Sequence, residues 1–326
     1  MGLGAWRALS TIFPMVFAVS LLVAGLVLLT LGADRFVVAA VRISNRLGLS
    51  AVLIGALVVG LGTSAPELLV SVLAAGRGEV DLAIGNVIGS NTANMTLVLG
   101  ASALVAPIVS RLHTIRREGV LMFISLVVIA VLLWDLGLVR WEGAVLAIAM
   151  VPAAFLLIWW SPSDAATPVV DMVPGDGSWR GPLRREAAIG LGTLAVTLAG
   201  AELLVRGASR LAEEAGISSA FVGLVIVSVG TSLPELATAI AAARRGETDL
   251  VLGNILGSNL FNTLAVGGLA GLVGPGVVDA GFRNALGFML VAGAVSGLFV
   301  ITGSRLARWE GAVLLAIFLG FVAIAV

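Results

Sequence analysis

Two glutamates stand in the middle of strongly apolar runs, each behind the same short polar motif. Glu67 ends the segment GTSAPE and Glu235 ends GTSLPE, 168 residues further along (235 − 67). Each glutamate follows a serine by three residues and a threonine by four, so the three side chains share one face of a helix. A carboxylate beside two hydroxyls offers the oxygen ligands that hard cations such as Ca²⁺ and Na⁺ prefer.

A proline stands directly before each glutamate, with glycines just upstream. Because Pro66 has no N–H, the carbonyl oxygen of Gly62 loses its usual helical partner, and Pro234 does the same to Gly230. Such carbonyls are tolerated at membrane depth only where they line a cavity or bind a ligand. The motif therefore predicts a kinked or discontinuous helix with free carbonyl oxygens in each half.

A second polar motif follows each glutamate, reading GNVIGSNTAN and GNILGSNLFN. Its polar side chains recur every fourth residue and form one helical stripe, at Asn86, Ser90 and Asn94 and, at the same offset of 168, at Asn254, Ser258 and Asn262. The intervening glycines let a neighbouring helix approach closely. Bringing the four motif helices together would give one pocket lined entirely by oxygen ligands. Isolated hydroxyls such as Ser71 are interpreted as helix packing.

The two carboxylates need compensation. No Lys or Arg lies in either motif core, and an unpaired charge at the bilayer centre costs about 2.5–3.5 kcal/mol on insertion scales. One Ca²⁺, or two to three Na⁺, would compensate this charge, but the Ca²⁺ and the Na⁺ could not bind together. Competition for the same charge favours exchange of the two cations over their co-transport.

Composition places these motifs in a membrane protein. The chain has 326 residues, of which 59% are hydrophobic and 12% charged, and apolar runs long enough to span a bilayer recur throughout. Its net charge of zero gives no basic surface for nucleic acid, and the absence of cysteine excludes disulfides and thiolate sites. Without a nucleophile–base pair or a nucleotide loop, no enzyme and no cofactor are expected. No obligatory protein partner is inferred.

The fold class expected is an all-α polytopic membrane protein with ten transmembrane helices in two inverted five-helix repeats. The repeats occupy residues 1–160, with the first motif at 60–94, and 184–326, with the second at 228–262; a cytoplasmic linker spans 161–183. An odd number of spans in each half forces the halves into opposite orientations. The expected spans are 14–42, 50–76, 81–107, 117–135, 139–160, 184–212, 218–243, 249–275, 284–302 and 308–326.

Arginines set the expected orientation. With both termini outside, twelve arginines fall in cytoplasmic segments and six outside, as the positive-inside rule requires. The protein is expected in the cell (inner) membrane. Its first apolar run is expected to remain as a transmembrane helix and not to be cleaved as a signal peptide. The repeated RGExD loops are interpreted as solvated charge pairs with a helix N-terminal acid. Asp34 and Glu202 are interpreted as anchors at the membrane interface, and His113 as a loop residue.

At GTSAPE…GNVIGSNTAN and GTSLPE…GNILGSNLFN the chain resembles the sodium/calcium exchanger family, of prokaryotic type, in the calcium/cation antiporter superfamily. The resemblance implies four central ion sites on the second, third, seventh and eighth helices, with the first and sixth sliding during alternating access. It implies roughly three Na⁺ per Ca²⁺, hence electrogenic exchange. The implied metal ligands are Glu67, Glu235, Thr63, Ser64, Thr231, Ser232, Ser90, Asn94, Ser258, Asn262 and the backbone carbonyls of Gly60 and Ser228.

Two other functions stay open. A Ca²⁺/H⁺ antiporter would exchange protons on the two glutamates, but that branch usually has a glutamate within its Gly-Asn motif, and GNVIG and GNILG have none. A cation channel would pass Ca²⁺ without a countergradient; an internal inverted repeat suits alternating access better. Asn262 stands where potassium-dependent relatives carry Asp, which argues against K⁺ co-transport.

Overall fold

A computed structural model describes residues 3–46, 64–109, 115–160, 181–246, 248–303 and 305–325. The described part of the chain is mostly helical. In the first half the elements are α1 (Leu3–Arg46), α2 (Ala65–Gly76), α3 (Val80–Ala93, a π-helical turn Asn94–Val98, and Leu99–Val105), β1 (Ile108–Val109), α4 (a π-helical turn Ile115–Gly119, then Val120–Leu132), β2 (Gly137–Leu138) and α5 (Arg140–Trp160).

The second half follows the same order after a stretch, 161–180, that lies outside the described residues. Its elements are α6 (Leu183–Ala215), α7 (Ser219–Phe221, a π-helical segment Val222–Val227, and Ser228–Thr231), α8 (Leu233–Arg245), α9 (Thr248–Phe261, a π-helical turn Asn262–Val266, and Gly267–Val273), β3 (Gly276–Val277), α10 (Phe282–Gly303), β4 (Arg305–Leu306) and α11 (Arg308–Ala325).

Six helices of the described chain are long and apolar enough to cross a membrane, and α7 with α8 makes a seventh if that bent pair is one span. Ten spans were expected. Three expected spans are not counted. The second lies largely outside the described part, and α3 carries a stripe of amides and hydroxyls. Helix α4 has only 13 α-helical residues after its π-helical turn.

Two short ribbons join the halves and were not expected from the sequence. Strand β1 pairs antiparallel with β4, with Ile108 opposite Leu306, and β2 pairs with β3, with Leu138 opposite Gly276. Adding 168 to Ile108 gives Gly276, and adding it to Leu138 gives Leu306. The second pairing therefore repeats the first with the halves exchanged, which is the contact pattern of a twofold axis between them.

Helices α1 and α6 form a closely packed pair. A methyl group added to Gly25 would overlap the backbone of Leu204, and one added to Gly200 would overlap the backbone of Leu29. Glycines at these crossings let the two backbones touch, as in other membrane helix pairs. At one end of the pair Arg42 forms an ion pair with Glu186 at 3.1 Å. This pair flanks the more deeply buried helices, α9 above all, which hold the polar motifs.

Candidate cation site

Each glutamate lies in the first turn of a helix, and the serine three residues before it is the N-cap. Ser64 and Ser232 have nearly the same backbone angles, φ −93° and ψ 10° for the first and φ −84° and ψ 6° for the second. Both lie near the bridge region that often holds residues of functional sites. Helix α7 meets α8 at a break at Ser232, with a 41° bend. The predicted kink before Pro234 is present; its counterpart before Pro66 involves residues outside the described part.

The break brings the two glutamates into one site. Ser232 donates a hydrogen bond to Glu67 Oε1 at 3.1 Å, and Ser64 donates one to Glu235 Oε1 at 3.2 Å. Each hydroxyl thus serves the carboxylate of the other half, and all four side chains are buried. Neither glutamate points into lipid or into a separate crevice.

The asparagines of the second motif lie where both long motif helices widen. The π-helical turns of α3 and α9 start at Asn94 and Asn262, again 168 residues apart. The turn at Asn94–Val98 packs against α8, and the turn at Asn262–Val266 packs against α2. Each turn therefore lies beside the glutamate helix of the other half. Single π-helical turns within α-helices are frequent at functional sites.

Several buried oxygens in this region have no hydrogen-bond partner among the described residues: Glu67 Oε2, Ser258 Oγ, and the amide oxygens of Asn91, Asn94, Asn259 and Asn262. Buried polar groups are normally paired, so these unpaired oxygens on three helices require an explanation. A hard cation supplies it, because carboxylate, hydroxyl and amide oxygens are its usual ligands.

The other residues implied as ligands differ in how far the structure describes them. Ser90 is buried on α3 and Thr231 on α7, and both contact Asn86. The carbonyl oxygen of Ser228 already accepts from Ser232 N–H at 3.0 Å and from the Thr231 hydroxyl at 3.2 Å. Since a carbonyl oxygen has two lone pairs, Ser228 could serve a cation here only after one of these bonds is released. Gly60 and Thr63 lie outside the described residues.

One polar residue at the centre of the site was absent from the expected ligand set. Asn86 is fully buried, and four side-chain hydrogen bonds link it to both motifs. The four-residue stripe placed it on the correct face of α3. Its contact with Thr231 of the other half depends on how the halves pack, which no pattern within the sequence specifies.

The RGExD loop was interpreted as solvated charge pairs, but two of its charged residues bind partners on α6. Arg77 binds Glu202 of α6, which also accepts from Arg206 at 2.7 Å, and Glu79 accepts from the Ser209 hydroxyl. Glu202 is therefore tied to the α2–α3 loop, in addition to any role at the interface. In the other half, Asp34 corresponds to Glu202 and Arg245 to Arg77. Their side chains lie outside the described set, as does His113.

Comparison with known proteins decides the family. A family model described as sodium/calcium exchanger protein matches residues 17–159 and 187–326, which include both pairs of motifs. The chain belongs to the sodium/calcium exchanger family. The resemblance read from the motifs is thus confirmed, and members of the exchanger family are transporters in the membrane. The chain is an integral, multi-pass membrane protein.

Exchanger-family relatives match along nearly the full length. Putative antiporter CaxA of Alkalimonas amylolytica is 38% identical over 317 residues, covering 94% of this chain and 98% of CaxA. Sodium/calcium exchanger MaX1 of Methanosarcina acetivorans is 30% identical over 339 residues, covering 93% and 97%. The sodium-calcium exchanger NCX_Mj, in a solved structure soaked with Na⁺ and Sr²⁺, superposes with a TM-score of 0.63 at 30% identity, covering 95% and 98%.

Proposed function

We propose that this chain is a secondary active antiporter that exchanges Na⁺ for Ca²⁺ by alternating access. The exchange is electrogenic and independent of K⁺. Ten spans in two inverted repeats cross the cell (inner) membrane, with both termini outside. The ions bind at Glu67 and Glu235, with the hydroxyl, amide and carbonyl oxygens of the two motifs completing the sites.

The single observation that carries the proposal is the reciprocal pair of hydrogen bonds between the halves, from Ser64 to Glu235 and from Ser232 to Glu67. It supports a shared site with two negative charges, which neither half contains alone. Such a site accepts one Ca²⁺ or two to three Na⁺, so binding of either cation excludes the other. The repeated ribbons support a twofold relation between the halves, which is the plan on which many transporters alternate access.

The test is ⁴⁵Ca²⁺ uptake into proteoliposomes under imposed Na⁺, K⁺ or H⁺ gradients. An outward Na⁺ gradient should drive uptake, added K⁺ should not change it, and a valinomycin-set potential should alter its rate because charge moves. Glu67→Gln and Glu235→Gln should each abolish uptake, whereas Glu214→Gln, an exposed position on α6, should leave it unchanged.

Other outcomes identify the competing functions. Uptake driven by H⁺ and indifferent to Na⁺ would replace the proposal with a Ca²⁺/H⁺ antiporter. Uptake without any countergradient would replace it with a channel.

A further inference from the structure

Asn86 links the two halves at the centre of the buried site. It lies on α3, and its side chain contacts Ser71 and Glu67 of α2 and Thr231 of α7, which belongs to the other half of the chain. Relative exposure of Asn86 is 0%. An amide with this many partners in the interior is rigidly held, and the orientation of its two ends therefore matters to the groups around it.

The partners fix which end of the amide faces which group. Asn86 Nδ2 is 3.3 Å from the backbone oxygen of Glu67, which can only accept, so the amide nitrogen must face α2. Nδ2 also donates to Ser71 Oγ at 2.9 Å, and that hydroxyl gives its own proton to the Ala83 carbonyl at 3.2 Å. The amide oxygen of Asn86 is consequently turned away from α2, towards Thr231 and Ser90.

That oxygen is an acceptor for two of the hydroxyls expected to bind cations. Thr231 donates to Asn86 Oδ1 at 3.1 Å, and Ser90 lies at 3.5 Å, the outer limit of a hydrogen bond. A hydroxyl binds a cation through its oxygen lone pairs, so its proton must point elsewhere. A hydrogen-bond acceptor on the side of the hydroxyl that faces away from the cation takes the proton. Hydrogen-bond partners orient metal-ligating side chains in the same way in other proteins.

We propose that Asn86 is a positioning residue that takes the hydroxyl protons of Thr231 and Ser90 and so aims their lone pairs at the bound cation. Asn86 does not itself touch the cation. The inference rests on the proposed function for the location of the cations, but its reasoning holds for Na⁺ and Ca²⁺ alike. The Thr231 hydroxyl can also turn to the Ser228 carbonyl; Asn86 frees that carbonyl for the cation as well.

The experiment compares two substitutions of Asn86 with a control substitution on the same helix. Asn86→Leu keeps the branched shape of the side chain but removes the acceptor, and Asn86→Gln keeps a neutral amide acceptor. Thr92→Val is the control, because Thr92 is equally buried on α3 but its hydroxyl donates to the Ile88 carbonyl oxygen of the same helix, and it lies outside the expected ligand set. Isothermal titration gives the Kd for Ca²⁺ and, separately, for Na⁺, and differential scanning fluorimetry gives the Tm of the ion-free protein.

Asn86→Leu should weaken cation binding about tenfold or more, since a buried hydroxyl loses its partner. Asn86→Gln should bind both cations clearly more tightly than Asn86→Leu. Thr92→Val should change the Kd less than about threefold, whatever its effect on the ion-free Tm. In the Thr231→Val background, Asn86→Leu should weaken binding by a clearly smaller factor, because one of the hydroxyls it positions is gone.

A structural role alone predicts a different pattern. If Thr92→Val and Asn86→Leu weaken binding equally, or if Asn86→Gln binds no more tightly than Asn86→Leu, the positioning role is wrong. The Na⁺ titration separates this result from a failure of the proposed function. A wild-type protein that binds Na⁺ but not Ca²⁺ would overturn the exchange proposal, while the same variants still test Asn86 through the Na⁺ affinities.

Discussion

Removing one carboxylate should damage Ca²⁺ binding far more than Na⁺ binding. Glu67→Gln keeps the shape of the side chain and the acceptor for the Ser232 hydroxyl, 3.1 Å away, but halves the negative charge of the site. A pair of unit charges about 4 Å apart interacts by about 4 kcal/mol at the effective dielectric constant of about 20 that suits protein sites. The lost attraction is thus about 8 kcal/mol for Ca²⁺ and about 4 kcal/mol for Na⁺.

The difference of about 4 kcal/mol corresponds to roughly a thousandfold in relative affinity. Relief of the repulsion between the two glutamates affects both cations equally and cancels from this ratio. Titration calorimetry of Ca²⁺ and Na⁺ on the same preparation measures it directly. Glu235→Gln should give the same shift, since Ser64 holds Glu235 as Ser232 holds Glu67.

Glu186→Gln is the matched control for this prediction. Glu186 is also a buried glutamate, but it pairs with Arg42 at 3.1 Å, away from both motifs. Its substitution should leave the ratio of Ca²⁺ to Na⁺ affinities unchanged. If Glu67→Gln weakens the binding of both cations by the same factor, the two carboxylates do not share one site, and the charge argument for exchange fails.

Three further predictions follow from the packing of the halves. Gly200→Leu should lower the Tm by several degrees relative to Gly192→Ala, because a side chain at Gly200 overlaps the backbone of α1 whereas Gly192 faces open space. Overpacking of this kind costs about 1–3 kcal/mol. Equal Tm values for the two variants would refute the close crossing of α1 and α6. The chain has no native cysteine, and Val109 lies opposite Arg305 in the β1–β4 ribbon. Cysteines introduced at these two positions should oxidise to an intramolecular disulfide, whereas a pair at Val109 and Val277 should not. The reverse result would exclude the observed register. In the proposed orientation Val277 lies outside the membrane and Val109 lies on the cytoplasmic side. An impermeant thiol reagent should therefore label Val277→Cys in right-side-out vesicles and Val109→Cys only in inverted vesicles. Labelling of both from the same side would rule out inverted repeats.

The contact between the two glutamate motifs could be predicted from the sequence largely because the motif occurs twice. A single buried glutamate is consistent with many structural roles, but Glu67 and Glu235 share an offset with their serines and asparagines. The proline at 234 likewise located the break at Ser232, because a missing N–H has a fixed local consequence. These features are local or repeated, so they can be recognised from the sequence alone.

Contacts between the halves were the part that the sequence did not specify. The π-helical turns at Asn94 and Asn262 cannot be predicted from hydrophobic periodicity, because the residues just before and within each turn are buried on nearly every face of the helix. The ribbons have only two residues per strand, too few for an alternating pattern. Arg77 was assigned to its own loop because its partner, Glu202, is 125 residues away. Each of these features depends on tertiary packing.

The reciprocal bonds also explain why the function needs both halves. In either half alone, the glutamate would lack the serine that serves its carboxylate, and the widened asparagine turn would lack the glutamate helix it packs against. Opposite halves contribute through equivalent residues, so the site lies on the axis that relates them. A cation on that axis is equally related to both sides of the membrane when the halves are inverted. On the proposed function, the sliding of α1 and α6 that the family resemblance implies would open either side without rebuilding the ligands, as alternating access requires.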